Sequence, residues 1–370
     1  MELYIGIMSG TSMDGIDAVL VNFEGDKLRK IGDHSQNFPP DLKEELDSLL
    51  NNYKTELTKI GEIDHRLALC YAGTVHHLLD KVNIKPSEVK AVGCHGQTIF
   101  HSPGSRFPFT IQLGDGNLIA ARTGIKTITD FRRMDMSFGG GGAPLVPAFH
   151  QAFLNDKKEK RCILNLGGIA NITILADLEK NVSGYDTGPA NCLMDEWIQS
   201  VKGEKFDKDG QWAKSGTVID ELLAGMMEEP YFKQPAPKST GRELFNRDWL
   251  KNHLKASNIS KNEDIQATLL ELTALTVAQA MRQSAPQTNA LYVCGGGAYN
   301  KQLLQRLSFH LKNVKIATTE TLGISPQWVE STAFAWLAMR RLNNRYGNLP
   351  SVTGASQKVL LGTIYDPVTF

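Results

Sequence analysis

The sequence predicts an α/β protein made of two similar halves flanking a central cleft. Three observations carry this reading: a strand–glycine turn–strand unit that occurs twice, a strong helix feeding an apolar strand in each half, and a length of 370 residues, which suits two domains of roughly 150 residues or more. In the first half, 3–8 (LYIGIM) and 16–23 (IDAVLVNF) are apolar runs separated by Ser9-Gly10-Thr11-Ser12-Met13-Asp14-Gly15, the pattern of a β-hairpin. Leu67, Cys70, Tyr71, Val75, Leu78 and Leu79 recur at helical spacing over 61–81. A strand over 89–94 (VKAVGC) follows and ends in His95-Gly96-Gln97-Thr98.

The same order returns in the second half. Residues 162–166 (CILNL), the turn Gly167-Gly168 and 171–175 repeat the hairpin, and 264–283 is a helix with a capping box at Ser260 and Glu263. It leads to the strand 290–294 (ALYVC) and Gly295-Gly296-Gly297. Ile5 and Ile163 lie 158 positions apart, Cys94 and Cys294 200 apart. The extra 42 positions predict an insertion in the second half, and the polar, Pro/Gly-punctuated stretch 206–247 suits it. The expected domains are 1–130 and 131–354, with 355–370 a candidate to return to the first. Gly139–Gly142 reads as a flexible hinge run.

Composition narrows the function. Forty Lys+Arg balance forty Asp+Glu, which gives no support to a nucleic-acid surface or a polybasic membrane patch. No run approaches the ~20 apolar residues of a membrane span. The start, Met1-Glu2-Leu3, lacks the basic region of a signal peptide. Five scattered cysteines without a CxxC pair read as reduced thiols, so a cytoplasmic protein is expected.

The chemical signal is three glycine-rich turns placed directly after strands. Bare backbone there lets N–H groups approach an anion as in phosphate-binding nests. Ser9-Gly10-Thr11-Ser12 adds hydroxyl donors, Gly167-Gly168 makes an opposing jaw, and Gly295-Gly296-Gly297 offers backbone for an adenine or ribose. The chain has no GxxxxGK[ST] and no GxGxxG opening a helix, so P-loop and Rossmann sites are excluded.

Asp186, in Tyr185-Asp186-Thr187-Gly188-Pro189, sits at an expected strand end, with Gly188-Pro189 opening a helix over 190–200. It can serve as a general base on a hydroxyl or water, hold Mg²⁺ through water, or cap its helix. The DTG string also belongs to aspartic proteases, but a two-lobed one needs a second D-[ST]-G, and the chain has none. Asp14, inside the first turn, either holds a cation near phosphates or is an ordinary turn residue. His95 and Gln97 can contact a polar ligand, and Arg132 or Arg133 suits a carboxylate or phosphate. Glu330, before the apolar helix 331–342, either reaches a sugar hydroxyl or caps that helix.

Taken together, Ile7-Met8-Ser9-Gly10-Thr11-Ser12-Met13-Asp14-Gly15-Ile16-Asp17, Cys94-His95-Gly96-Gln97-Thr98, Asp130-Phe131-Arg132-Arg133 with Ala143-Pro144-Leu145-Val146-Pro147, Asn165-Leu166-Gly167-Gly168-Ile169-Ala170-Asn171 and Asp186-Thr187-Gly188-Pro189-Ala190-Asn191 resemble the anhydro-N-acetylmuramic acid kinases. Cys294-Gly295-Gly296-Gly297-Ala298 and Gln327-Trp328-Val329-Glu330 extend the likeness over nearly the whole chain. The resemblance implies an actin-like (hexokinase-like) ATPase fold around a nucleotide cleft. Ser9, Gly10, Thr11, Ser12, Asp14, Gly15, Gly167 and Gly168 would then hold ATP phosphates, and Gly295, Gly296, Gly297 and Ala298 the adenosine. It further implies Asp186 as the base, with His95, Gln97, Arg132, Arg133 and Glu330 toward the sugar. Mg²⁺ near Asp14 and Asp186 through water, and a homodimer in bacterial cytoplasm, complete the expectation.

Overall fold

The computed structural model describes residues 2–10, 15–25, 27–52, 55–175, 182–236, 238–255 and 261–367. Thr11, Ser12, Asp14 and Ser260 lie outside the described residues. The chain forms two compact units, Met1–Phe153 with Trp328–Phe370, and Leu154–Gln327. The expected boundary at 130/131 therefore moves to 153/154, and 328–354 joins the first unit rather than the second.

In the first unit, the expected hairpin is β1 (Leu3–Met8) and β2 (Ile16–Glu24), extended by β3 (Lys27–Gln36). β4 (Val89–Cys94) follows the helix Leu57–Val82, and β5 (Gln97–Ser102) and β6 (Phe109–Leu113) form a separate two-stranded ribbon. β7 (Thr127–Thr129) and the C-terminal strand Thr363–Tyr365 complete the main sheet, whose order from the far edge is β3, β2, β1, β4, β7 and the C-terminal strand. β1–β2 and β2–β3 run antiparallel; β1–β4 and β4–β7 run parallel.

Helix Val329–Leu342 shows why 328–354 belongs here. Gly6 on β1 and Gly93 on β4 are register partners, and both lie against this helix. A Cβ on Gly6 would stand 2.7 Å from the Ala335 nitrogen, and one on Gly93 3.0 Å from the Ala338 Cβ. Ser331, Ala335 and Ala338 lie on one helix face at spacings of four and three, so small residues on both sides allow backbone-to-backbone approach.

The second unit repeats the topology. β8 (Arg161–Leu166), β9 (Ile169–Ile174) and β10 (Ser183–Pro189) are antiparallel neighbours, while β8 pairs in parallel with β11 (Ala290–Cys294), and β11 with β12 (Lys315–Thr318). Counted by the strands of each main sheet, both units share the order three–two–one–four–five, with the C-terminal strand added at the edge of the first, so the expected duplication is present. Helix Asn262–Ser284 precedes β11 as expected, with Lys261 at its N-cap and no side-chain cap there.

The stretch 206–247 packs into the core of the second unit: Ala213, Leu222, Met226, Tyr231, Phe232 and Phe245 share one buried cluster with β8, β9 and β11. Two expectations change. Gly139–Gly142 is no hinge; it lies inside the first unit, with Gly141 N–H donating to the Thr353 carbonyl at 2.7 Å and Gly142 N–H to Asp135 Oδ2 at 2.9 Å. Pro189 ends β10 instead of opening a helix, and the helix runs Asn191–Lys202. Among the described residues, no helix is long and apolar enough to cross a membrane. None of the five cysteines is in a disulfide, and burial pushes Cys94 up to about 12 and Cys162 to about 11, which leaves both inert at neutral pH.

Candidate functional site

Within the first unit, two of the residues expected to meet the sugar, His95 and Glu330, gather at Arg132. The His95 ring is buried at the end of β4, and its Nε2 lies 3.1 Å from Arg132 Nε and 2.7 Å from Nη2. A guanidinium only donates, so Nε2 accepts and the proton sits on Nδ1, which donates to the Gly96 carbonyl at 2.7 Å. Both ring nitrogens are thus taken inside the protein, and His95 orients Arg132 instead of offering a free atom of its own. Burial and the neighbouring Arg132 charge hold His95 well below the usual histidine range, so it stays neutral.

Arg132 also donates through Nη1 to the Gly142 carbonyl at 2.8 Å, leaving one N–H on each terminal nitrogen. Burial pulls its pKa down to about 10, with Glu330 working in the opposite direction; it remains a cation at neutral pH. Glu330, the second residue of its helix, is pushed up by burial, pulled down by Arg132 and raised again by Asp17. Arg133 behaves differently. It is exposed and ion-paired with Asp130 at 2.8 Å, so the structure groups Arg132, not Arg133, with His95 and Glu330.

Gln97 is fully buried, its Nε2 donating to the Gly10 carbonyl at 3.4 Å and the Thr98 carbonyl at 3.3 Å. Its Oε1 has no hydrogen-bond partner among the described residues, a cost that a bound donor would relieve. Ser9 corrects the expectation of a free phosphate-binding hydroxyl: its Oγ lies 2.8 Å from the buried Tyr71 hydroxyl and donates to the Gly96 carbonyl at 3.4 Å. Tyr71 read in sequence only as one apolar position of a helix.

In the second unit, Asp186 sits in the middle of β10, opposite Asn171 on β9, with an irregularity just beyond it before Gly188 pairs with Ala170. The turn Gly167-Gly168 lies between β8 and β9, so the acid is on the strand bordering the turn. It does not cap the following helix. Ala190, Asn191 and Cys192 N–H groups donate to the carbonyls of Gly168, Gly167 and Gly168 at 3.0, 3.0 and 3.1 Å, which stitches the helix start to the turn. The Asp186 carboxylate instead accepts at Oδ2 from Ser239 Oγ (2.8 Å) and Thr240 N–H (3.0 Å). Burial raises its pKa, the Thr240 and Ser239 donors lower it, and Glu243 raises it again.

The three glycines of the third turn divide by role. Gly295 (φ 78°) and Gly297 lack side chains because they press on Leu166: a Cβ would stand 2.8 Å from the Leu166 carbonyl oxygen at Gly295 and 2.6 Å from the Leu166 Cβ at Gly297. Gly167, Gly168 and Gly296 are open, with nothing closer than 3.7 Å to an added Cβ. Packing therefore places the third turn beside the second, and the accessible backbone is that of 167, 168 and 296. Ala298 is buried beneath them.

A model of the family described as anhydro-N-acetylmuramic acid kinase matches residues 2–367. The chain belongs to the anhydro-N-acetylmuramic acid kinase family. A relative of that name from Aliivibrio fischeri is 50% identical over 366 residues, covering 99% of each chain. One from Pasteurella multocida is 48% identical over 363 residues, 98% of this chain and 96% of the relative. Among solved structures, component A of the Acidaminococcus fermentans (R)-2-hydroxyglutaryl-CoA dehydratase aligns with TM-score 0.49 at 11% identity, over 90% of this chain and 96% of that one.

For a member of this family, the residues that sequence reasoning missed lie in 238–243. Asp186 N–H donates to the Lys238 carbonyl at 3.3 Å, and the Tyr231 hydroxyl to the Asp186 carbonyl at 2.6 Å. The signal was present: Lys238-Ser239-Thr240-Gly241-Arg242 combines hydroxyls, a glycine and two cations. It was passed over because it lies in a polar, aperiodic stretch.

Proposed function

We propose that this chain uses ATP and water to open the 1,6-anhydro ring of anhydro-N-acetylmuramic acid and to phosphorylate its 6-oxygen. The products are N-acetylmuramate 6-phosphate and ADP, a step of peptidoglycan recycling. The observation that carries the mechanism is the partly buried Asp186 on the strand bordering the open Gly167-Gly168 turn, in a chain matched by the kinase family over 2–367. Asp186 takes a proton from water; the water oxygen bonds to the anomeric carbon; the bond from that carbon to the 6-oxygen breaks, and its electron pair attacks the γ-phosphorus as ADP departs. Such transfer rests on alignment and charge stabilisation rather than covalent help.

Gly10, Gly15, Gly167 and Gly168 lend backbone to the phosphates, with Thr11, Ser12 and Asp14 in the same first loop, while Gly296 and its neighbours hold adenosine. Arg132, set by His95, meets the lactyl carboxylate; Gln97 and Glu330 bind sugar polar groups. Among the described residues, no group of three or more His, Cys, Asp or Glu is placed to hold a metal. Mg²⁺ carried on the triphosphate usually keeps waters and takes one or two carboxylates; Asp14 and Asp186 would hold it through water. Bound there, it would neutralise developing phosphate charge. The reading includes a homodimer in the cytoplasm.

The test is mass spectrometry of the product formed with ATP in water enriched in heavy oxygen. One heavy atom on the anomeric carbon and an unlabelled phosphoryl group on the 6-oxygen are expected; label in the phosphate, or none in the sugar, removes the mechanism. A second expectation concerns pH. Ser239 donates to the charged form of Asp186 and so lowers its pKa. Ser239→Ala therefore moves the acid limb of the kcat/KM profile upward, with little change on the plateau. An unmoved limb would separate Ser239 from the base.

A further inference from the structure

We infer that Arg242 supplies the positive charge to the γ-phosphoryl group as it is transferred. The inference rests on the reading of Asp186 and the Gly167-Gly168 turn given above, and adds a catalytic residue to it. A Cβ added to Gly168 would stand 3.9 Å from Arg242 Nε and 4.0 Å from Nη2, so the guanidinium lies over the open backbone of the turn. The side chain is exposed, and its guanidinium makes no hydrogen bond or ion pair among the described residues. Glu196, the acid on the adjacent helix that senses it, feels Arg247 more than Arg242. An unspent, exposed arginine over a bare glycine turn has its fork available for phosphate oxygens.

The segment that carries Arg242 is tied at both ends. Ser239 and Thr240 hold Asp186, as described, while Phe245 is buried, stacks on Phe232 at 5.5 Å and meets the edges of Tyr231 and Trp249. Leu244 and Phe245 N–H groups donate to the Gly241 carbonyl, and Asn246 Nδ2 to the Arg242 carbonyl. One short loop thus presents the base at its first end and a cation at its centre. The phosphate within reach of the same loop as the base is the one that reacts, because the oxygen released by the base's water attacks it. A charge held ready there stabilises the transition state without reorganisation. The chain lacks a Walker lysine, and Arg242 fills that electrostatic role.

The experiment compares wild type with Arg242→Ala, Arg242→Lys and Asp186→Asn. Each is measured for kcat, for KM of ATP, for thermal melting without ligand, and for calorimetric binding of ADP with and without beryllium fluoride, a γ-phosphoryl mimic. Arg242→Ala is expected to lose roughly 10²–10³-fold in kcat, keep the wild-type melting temperature and ADP affinity, and lose the tighter binding that beryllium fluoride confers. Added guanidinium ion should restore part of its turnover and leave wild type unaffected. Arg242→Lys should fall between the two. The inference is overturned by an Arg242→Ala enzyme within threefold of wild type, or by a loss matched by a lower melting temperature with no guanidinium rescue. The beryllium fluoride arm needs no sugar and reads Arg242 at the γ-position, whereas the turnover of Asp186→Asn reads the base, so failure of the base assignment shows up separately from failure of Arg242.

Discussion

Asp186→Asn is expected to lower kcat by roughly 10²–10⁴-fold while leaving the fold and ATP binding intact. The amide oxygen can still accept from Ser239 Oγ and Thr240 N–H, so the contacts at Oδ2 survive; what disappears is the group that takes the proton. Stability should move the other way. Burial raises the Asp186 pKa in the folded protein, so the folded state binds this proton more tightly than the unfolded chain. Its contribution to stability is therefore greatest below the ordinary carboxylate range and falls as pH rises through the unfolded and then the folded pKa. The asparagine variant, which carries no charge to bury, should melt at or above the wild-type temperature at neutral pH, and the difference should vanish in acid. A mutant that keeps a tenth of the wild-type rate would take Asp186 out of the mechanism.

The other large effect is on folding. Gly6→Ala places a methyl group against the Ser331 carbonyl oxygen and 2.7 Å from the Ala335 nitrogen. Neither neighbour is the mobile end of a side chain; both belong to the backbone of helix Val329–Leu342. The helix must lift off β1, and with it the approach to Gly93 on β4 is lost. Overpacking of a tight core costs about 3 kcal/mol at its upper range. In a unit of this size, that lowers the melting temperature by roughly 6–12 °C. Calorimetric melting checks it, and a shift under 2 °C would mean that the helix can slide without penalty. Gly93→Ala should behave alike, because its Cβ would stand 2.9 Å from the Phe334 carbonyl carbon and 3.0 Å from the Ala338 Cβ.

Much of the architecture was legible because periodicity and glycine placement are local signals. The hairpin Leu3–Met8 with Ile16–Glu24, the helix Leu57–Val82, the strand Val89–Cys94 and their counterparts after residue 160 appear where the apolar runs put them. β3 escaped notice because Lys27–Gln36 is an edge strand with few apolar residues. The hinge reading of Gly139–Gly142 failed for a related reason. Glycine is permissive rather than mobile, and here Asp135, Asn348 and Thr353 form a buried hydrogen-bonded group beside it.

The candidate site was legible in its members and less so in their roles. His95 and Arg132 stood out as chemistry-bearing residues, yet nothing local says that both imidazole nitrogens are consumed or that Arg133 turns to Asp130. Ser239, Thr240 and Arg242 are separated from Asp186 by more than fifty positions and lie in a stretch without period.

By itself, the sequence determined two repeated α/β halves, glycine turns directly after strands, one acid at Asp186 and the family to which these belong, since each is written in contiguous residues. Tertiary structure alone decided that Val329–Leu342 covers the first sheet, that the 206–247 segment builds the second unit's core, and that Ser239 and Thr240 hold Asp186. Those outcomes depend on which distant surfaces bury one another and which buried polar atoms find partners, and such pairings carry no signature in the spacing of neighbouring residues.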